Sequence, residues 1–258
     1  MITAIDHIIV AVPDLDAAVR SYRGLGFTVV PGGRHPVGTH NALISFADDS
    51  YVELIAFYEN NPDHRWWAPL QKGGGLVDFC LQTDDLIADT QRFRKAGVQI
   101  DDPKGQSRMR PDGYLLRWVF SLSAGTHRGV APFLIRDETP REERVPRERA
   151  HPNGVTGIAS VTVAVDDVPV VRGWYEKALG TPAQEIQRDD VDGMGIRVIV
   201  GPHVFDFLAP RRPHGPLRDW LGARGPSPFG AALRVAAGPA RELDAAETLG
   251  ARLSLVPD

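Results

Sequence analysis

Four stretches of the chain repeat one pattern, a β-strand followed by a tight turn and an amphipathic helix that ends at glycine. They occupy residues 4–26, 75–97, 157–180 and, more weakly, 230–250. Self-similarity of this kind indicates that the fold is built from equivalent modules. Equivalent strands of paired modules bring side chains to one place in space, so the repeats also indicate where a functional site is assembled.

In the first two modules, three further strand-like segments follow the helix, which predicts the order β-α-β-β-β. The predicted strands are 27–30, 41–46 and 51–57 in the first module and 98–100, 114–121 and 130–136 in the second. The loop 31–40 is rich in glycine and proline and is predicted to be irregular. The fourth module is predicted to contain a strand, a helix and a last short strand at 252–255, two strands short of a full module.

Each helix carries one apolar stripe, formed in the first module by Leu15, Ala18, Val19 and Tyr22. Such a stripe covers one face of a sheet and leaves the other face free. We therefore predict an α+β fold in which tandem βαβββ modules pair into curved half-barrel sheets. The concave inner face of a paired sheet is the expected place for a small-molecule site.

The modules predict two domains. The first, 1–138, contains modules 1–57 and 75–138, and the second, 155–258, is a degenerate copy with a truncated last module. The segment 139–154 is charged, contains prolines and lacks apolar periodicity, which predicts a solvated linker.

Composition excludes several functional classes. The 258 residues are 43% apolar and 24% charged, as in an ordinary globular protein. The net charge of −4 comes without a basic stripe, so no nucleic-acid partner is expected. No apolar run reaches the ~18 residues of a membrane span, and the start lacks the features of a signal peptide. The single cysteine, Cys80, excludes an internal disulfide and favours a cytoplasmic location.

The alternation of the first strand predicts which side chains face inward. Ile8, Val10 and Val12 are the better partners for the helix, which leaves His7 on the inner face. Alignment of the modules places Asp78 and Ser160 at the position of His7. The last strands YVELIA, APFLIR and VFDFLA place Glu53, Phe133 and Asp206 at a second shared position.

Glu53 is the most unusual of these residues because it interrupts an apolar strand. A buried carboxylate is costly unless it is paired, hydrogen-bonded or bound to a metal. Two interpretations remain open, an ion pair with a nearby arginine or histidine and a functional site that includes His7.

Three segments carry a family resemblance: DHIIVAVPDLDAAV at 6–19, GLGF at 24–27 and YVELIAF at 51–57. They resemble the vicinal oxygen chelate superfamily, which includes glyoxalase I, extradiol dioxygenases and bleomycin-resistance proteins. The stretch GGRHPVGTHNALISF at 32–46 is similar to the glyoxalase-like group of that superfamily.

The resemblance implies a divalent metal held by inner-strand residues of two paired modules. The matching positions are His7, Glu53, Asp78 and Phe133, and Phe133 cannot be a ligand. The expected ligands are therefore His7, Glu53 and Asp78, with zinc, nickel, manganese and iron left open. The implied reaction is an isomerase- or lyase-type proton transfer on a small oxygenated metabolite through a chelated enediolate. Glu53 is the expected general base, with a raised pKa.

Iron-dependent extradiol chemistry is not expected. Its iron needs two histidines and a carboxylate, whereas the second half offers Ser160, Asp206 and either Gly230 or Ala231. The second half is instead predicted to pack on the first or to support a homodimer.

Substrate contacts are predicted for His35, Thr39, Asn41, Trp118, Phe133 and Arg136, the last as a partner for a substrate carboxylate. An alternative function is a metal-free binding protein of the bleomycin-resistance type. Its apolar walls would be Trp66, Trp67, Trp118 and Phe133.

Overall fold

The computed structural model describes residues 1–258 and contains fifteen strands and six helices. The strands are β1 (Ile2–Ala11), β2 (Val30–Arg34), β3 (Thr39–Ser45), β4 (Tyr51–Phe57), β5 (Gly75–Thr83), β6 (Lys104–Met109), β7 (Leu115–Ser121), β8 (Phe133–Asp137), β9 (Val155–Ala164), β10 (Gln184–Arg188), β11 (Gly193–Val200), β12 (His203–Pro210), β13 (Ser227–Val235), β14 (Arg241–Glu242) and β15 (Leu253–Pro257). The helices are α1 (Leu15–Gly24), α2 (Trp67–Gln71), α3 (Leu86–Ala96), α4 (Arg141–Arg144), α5 (Val168–Leu179) and α6 (Pro216–Arg224). None of the helices combines the length and the apolar character needed to span a bilayer.

The first eight strands form a closed barrel in the order β1-β4-β3-β2-β6-β7-β8-β5. The first two modules meet where β1 pairs antiparallel with β5. They meet again where β2 pairs with β6 through Arg34 and Met109, and this second contact closes the barrel. The predicted α+β fold with curved sheets of paired modules is confirmed.

Capping residues fix the starts of α1 and α3 and the end of α3. The side chain of Asp14 accepts a hydrogen bond from the backbone N–H of Ala17, 2.7 Å away, and so caps the start of α1. Asp85 caps α3 in the same way. Gly97 ends α3 in the left-handed conformation, with φ of 104°, which favours glycine.

Strand β1 separates two cores. Ile8, Val10 and Val12 belong to the main core, which the helices cover, whereas Ile9 and Ala11 belong to a smaller cluster inside the barrel. This period of two is the geometry of a strand between two packed layers. The predicted orientation of β1 is confirmed, with His7 on the inner side.

The remaining strands form a seven-stranded sheet in the order β10-β11-β12-β9-β13-β15-β14. It packs on the outside of the barrel: the rings of Phe79 and Phe205 lie 5.3 Å apart, and the Tyr175 hydroxyl donates to the carbonyl of Val130 at 2.9 Å. The main core contains residues of both sheets. The division into two domains stays a prediction, since the two halves share this core.

Three predictions of local structure are wrong. Strands predicted at 27–30 and 98–100 begin later, as β2 and β6. The loop 31–40, predicted to be irregular, contributes most of β2. Its glycines let the backbones approach, since a Cβ on Gly33 would lie 2.0 Å from the carbonyl oxygen of Met109.

The helix predicted in the fourth module is also absent, and turns replace it between Leu243 and Gly250. Asp244 accepts a hydrogen bond from the backbone N–H of Ala246, and the hydroxyl of Thr248 donates to the Ala251 carbonyl at 2.5 Å. Side chains that bond to the nearby backbone in this way compete with helix formation.

The predicted linker 139–154 lies against the barrel, with Arg144, Val145 and His151 buried and its other residues half-buried or exposed. It contains α4, and the Arg144 side chain is only 3% exposed. His151 lies against the barrel, where its Nδ1 accepts from the backbone N–H of Thr28 at 3.0 Å. A charged side chain in a segment without apolar periodicity can therefore be buried when it finds partners of opposite charge in another element.

Candidate functional site

A cavity of about 390 Å³ lies inside the barrel. Aromatic and aliphatic side chains from β4, β7 and β8 form part of its wall, and charged groups from β4 and β6 and from α4 face it. Seven of the predicted site residues line it: His7, His35, Thr39, Asn41, Glu53, Trp118 and Phe133. Asp78 and Arg136 do not.

Glu53 and His7 meet in this cavity because β1 and β4 are parallel neighbours. Oε2 of Glu53 lies 3.4 Å from Nε2 of His7. Its other oxygen, Oε1, accepts a hydrogen bond from the Asn41 amide on β3 at 2.5 Å. Both oxygens of a carboxylate that is only 6% exposed therefore have partners.

These contacts set the pKa values of Glu53 and His7. Burial alone would raise the pKa of Glu53, but hydrogen bonds and positive charge from His7, with His35 and Asn41 adding to the effect, lower it to about 2. Burial alone would lower the pKa of His7, but its bonds to Asp6 and Glu53 raise it above the usual value. The expectation of a raised pKa for Glu53 is wrong, because its neighbours stabilise the carboxylate more than burial destabilises it.

Asp6 is a member of the site that the sequence analysis missed. Its Oδ1 lies 2.6 Å from Nδ1 of His7, on the opposite side of the ring from Glu53. The pairing of β1 with β5 shifts register between Ile5 and His7. Such an irregularity re-aims side chains, and here it brings two consecutive residues into contact. An acidic residue beside a histidine in an apolar strand is the signal that could have identified it.

Asp6 is held by two arginines of the segment predicted as a linker. Arg144 donates to both Asp6 oxygens, at 3.0 and 2.8 Å, and Arg141 also contacts Asp6. Burial would raise the pKa of Asp6, but these guanidiniums hold it well below its usual range. Arg144 also donates to the Tyr51 hydroxyl at 2.6 Å, and the Tyr51 ring stacks on His7 at 4.5 Å. The His7 ring is therefore fixed at both nitrogens and on one face.

Arg108, on β6, is a second residue that the sequence analysis missed. It is 3% exposed and lines the cavity. It donates to the carbonyl of Arg144 at 3.0 Å and to Oδ1 of Asn41 at 3.4 Å, and its buried Nε has no hydrogen-bond partner. Gly32 leaves room for this arrangement, since a Cβ there would lie 2.1 Å from Oδ1 of Asn41.

Asp78 and Arg136 are the two predicted site residues that the structure places elsewhere. Asp78 is buried, forms an ion pair with Arg65 at 2.8 Å and accepts from the Trp66 indole at 2.9 Å. Arg136 is exposed on β8, where the strand alternation that turns Ile135 into the barrel turns Arg136 outward. Asp78 therefore has a cationic partner, and Arg136 cannot hold a ligand inside the cavity.

The predicted metal ligands do not assemble into a three-residue site. His7 and Glu53 face each other, but the carboxylate of Asp78 is bound by Arg65 and Trp66. Asp6, His7 and Cys80 offer a second cluster, with ligand atoms within 4.8 Å of one another. Two guanidiniums already neutralise Asp6, and burial raises the pKa of the Cys80 thiol well above its usual value, which disfavours the thiolate. Neither donor set fits a divalent metal.

The second sheet has no equivalent of the Glu53 site. Asp206, the residue predicted to match Glu53, is fully buried. Arg197 donates to its two oxygens at 2.7 and 2.8 Å, and Arg188 donates to one of them at 3.1 Å. The carboxylate of Asp206 is thus paired with two guanidinium groups.

Comparisons with known proteins agree with this architecture. A family model described as a glyoxalase-like domain matches residues 5–179. Ethylmalonyl-CoA/methylmalonyl-CoA epimerase of Cereibacter sphaeroides is 28% identical over 113 residues, which are 39% of this chain and 75% of that protein.

Two solved structures share the fold. A hypothetical protein from Staphylococcus aureus matches with a TM-score of 0.71 at 18% identity, over 98% of both chains. A mutant of 4-hydroxymandelate synthase from Streptomyces coelicolor matches with a TM-score of 0.63 at 18% identity, over 91% of this chain and 72% of the other. The family model covers more than half of the sequence and all of the barrel except the first residues of β1, and on that ground the chain belongs to the glyoxalase-like domain family.

Proposed function

We propose that the protein is an isomerase or lyase that moves a proton on a carbon next to a carbonyl group of a small oxygenated metabolite. Glu53 is the proposed base. The observation that carries the proposal is the buried Glu53 carboxylate, which lines the cavity of the barrel and is positioned by His7 and Asn41. The similarity to a protein named as an epimerase supports the isomerase class.

The residues of the site account for the charge that moves in such a step. Glu53 takes a proton from the substrate carbon and becomes neutral, while the electron pair of the C–H bond moves to the carbonyl oxygen as an enolate. His7 keeps its proton, because Asp6 holds its other nitrogen. The His7 imidazolium faces the Glu53 carboxylate before the transfer and the enolate after it. Its positive charge is therefore already in place to stabilise the transition state. Delivery of the proton to a different atom of the enolate, or to the opposite face of the same carbon, completes an isomerisation, and loss of a neighbouring leaving group completes a lyase reaction.

The low pKa of Glu53 limits its strength as a base while His7 is protonated and in contact with it. A substrate that separates Oε2 from Nε2 removes the main cause of that low pKa. Because Asn41 holds only Oε1, Oε2 is the oxygen that can turn towards a substrate.

Exchange of carbon-bound hydrogen with solvent tests the proposal. Small 2-oxo acids, 2-hydroxy acids and acyl thioesters are incubated with the protein in D2O and followed by NMR. We expect Glu53→Gln to reduce catalysed exchange by roughly 100-fold or more, which is the usual effect of losing a general base. The exposed Glu59→Gln is the matched control and should exchange like the wild type. Exchange that is equal in wild type and Glu53→Gln would remove Glu53 from this role.

Metal content tests the metal-assisted form of the same chemistry. Since the donor sets do not fit a divalent ion, we expect much less than one equivalent of zinc, nickel, manganese or iron in protein purified without chelator. About one equivalent in the wild type, lost in both His7→Asn and Glu53→Gln, would restore the metal interpretation.

A metal-free binding protein is the second candidate. Trp66, Trp118 and Phe133 line the cavity as the predicted walls, whereas Trp67 does not. A Glu53 that is held as a stable ion also suits a binding site. This candidate predicts that ligands bind without hydrogen exchange and that Glu53→Gln leaves binding in place.

A further inference from the structure

The cavity contains a buried cation, Arg108, that forms no direct ion pair. Arg108 is 3% exposed, and both of its hydrogen-bond acceptors are neutral oxygens, the Arg144 carbonyl and Oδ1 of Asn41. Its Nε–H is buried and has no partner. A buried guanidinium of this kind is costly unless an anion pairs with it. Arg108 therefore forms no direct ion pair within the protein, and an anionic ligand would supply one.

Three carboxylates line the cavity, those of Glu53, Asp63 and Asp101, and none of them forms an ion pair with Arg108. The carboxylates of Glu53, Asp6 and Asp78 already have other partners. Glu53 is held by His7 and Asn41, Asp6 by Arg144 and Arg141, and Asp78 by Arg65. Asn41 lies between Arg108 and Glu53, since it accepts a hydrogen bond from the first and donates one to the second. The amide thereby keeps the cation and the carboxylate at neighbouring positions without a direct ion pair between them.

We propose that the ligand of this cavity is a small organic carboxylate whose anionic group pairs with Arg108. Arginine suits this role because its planar guanidinium matches the geometry of a carboxylate. The cavity lining also includes apolar side chains, among them Ile55, Trp118, Phe120 and Phe133. The body of the ligand is therefore an apolar group, a branched alkyl chain or a single aromatic ring.

This inference deepens the proposed function and rests on it for the reaction. A carboxylate on Arg108 places the adjoining carbons of the ligand beside Asn41, and so beside Glu53. The acid group then anchors the molecule, and the carbon that loses a proton lies one or two bonds away. Charge pairing supplies the orientation that the expected metal chelate would otherwise provide.

Binding of a matched pair of probes tests the inference. Phenylacetate and phenylacetamide have the same shape, and only phenylacetate carries a charge. Acetate and 3-methylbutanoate extend the series to smaller and branched acids. Calorimetry and ligand-detected NMR should show at least one of the three acids binding, and phenylacetate binding at least tenfold more tightly than its amide. No binding by any of the acids at 10 mM, or equal affinity for the amide, would overturn the inference.

Arg108→Gln is the decisive variant, and Arg136→Gln is its control because Arg136 is exposed and outside the cavity. The control should bind phenylacetate like the wild type, whereas Arg108→Gln should bind the acid and the amide equally weakly. Thermal unfolding checks that the variant is folded. Removal of an unpaired buried charge should leave its melting temperature at or above that of the wild type, while a purely structural arginine would lower it.

The outcome separates this inference from the proposed function. Arg108-dependent binding of the acids, together with no hydrogen exchange on any compound of the exchange series, supports the anion site and contradicts proton transfer. Glu53-dependent exchange on neutral thioesters, with no preference for acids, supports proton transfer and contradicts the anion site.

Discussion

At the scale of single residues, the site is a chain of charges that alternate in sign. Arg144 and Arg141 hold Asp6, Asp6 holds His7, and His7 faces Glu53. All members except the half-buried Arg141 are buried, and each is stabilised by its neighbour of opposite charge. Buried charges are tolerated only in such complete arrangements. The protonation of the whole chain is therefore coupled to its stability.

Lowering the pH tests the charge on Glu53. Its folded pKa of about 2 lies below the ordinary 4.5, so the unfolded chain binds the proton first as the pH falls. The resulting stability is fully present above pH 4.5 and is lost as the pH falls towards 2. It amounts to about 3 kcal/mol. Urea unfolding between pH 6 and 3 should show a steeper loss for the wild type than for Glu53→Gln, and parallel curves would contradict the low pKa.

Removing the charge of Asp6 should destabilise the protein strongly. Asp6→Asn leaves the buried Arg144 with only Asp137 as an anionic partner. Breaking a buried pair from one side costs about 3–5 kcal/mol, and urea unfolding at pH 7 measures it. Glu138→Gln is exposed and should change the unfolding free energy by less than about 0.5 kcal/mol. A similarly small effect of Asp6→Asn would show that the arrangement adds little to stability.

At the scale of secondary structure elements, β2 and β6 decide whether the barrel closes. They join through Arg34 and Met109, where the backbones approach closely. The same two strands carry Gly32 and Arg108, which lie against Asn41. The pairing of β2 with β6 therefore closes the barrel and at the same time positions Arg108 in the cavity.

Gly33→Ala tests that closure. Gly33 has a φ of 141°, and an added Cβ would lie 2.0 Å from the Met109 carbonyl oxygen. We expect a loss of about 2–3 kcal/mol from the unfavourable backbone conformation, with further loss from the clash. The loss should be accompanied by weaker binding in the cavity, as read by ligand-detected NMR. Gly105→Ala on β6 is the control, since a Cβ there meets nothing within 4 Å and should be tolerated.

At the scale of the whole molecule, the second sheet supports the barrel without repeating its site. Asp206 is neutralised by two arginines, and the two halves share one core through contacts such as Phe79 with Phe205. A shared core predicts that the two halves unfold together rather than one after the other.

Phe205→Ala tests this coupling. Removing a fully buried phenylalanine should cost about 3–5 kcal/mol. Calorimetry should show one transition that moves to lower temperature as a whole. The exposed Ile199→Ala should leave it nearly unchanged. Two separate transitions, with only one displaced, would instead support independent domains.

The sequence by itself determined the modules, the helices of the first three modules and the inward side of β1. These features are local: a period of two in strands, an apolar stripe in helices, and caps at Asp14 and Asp85. The inward positions of His7 and Glu53 follow from the same periodicity, which is why both were predicted to lie at the site.

Only the tertiary structure decided what surrounds those two residues. Arg108 and Arg144 reach the site from 55 and 91 residues beyond Glu53 in the chain, and both lie in segments whose local pattern predicts neither a strand nor a buried helix. Asp78 forms an ion pair with Arg65 and does not line the cavity. The low pKa of Glu53 results from its contacts with His7 and Asn41. Charge pairing acts between groups that are close in space and leaves no periodic trace in the sequence, so the electrostatics of the site emerge only when the barrel closes.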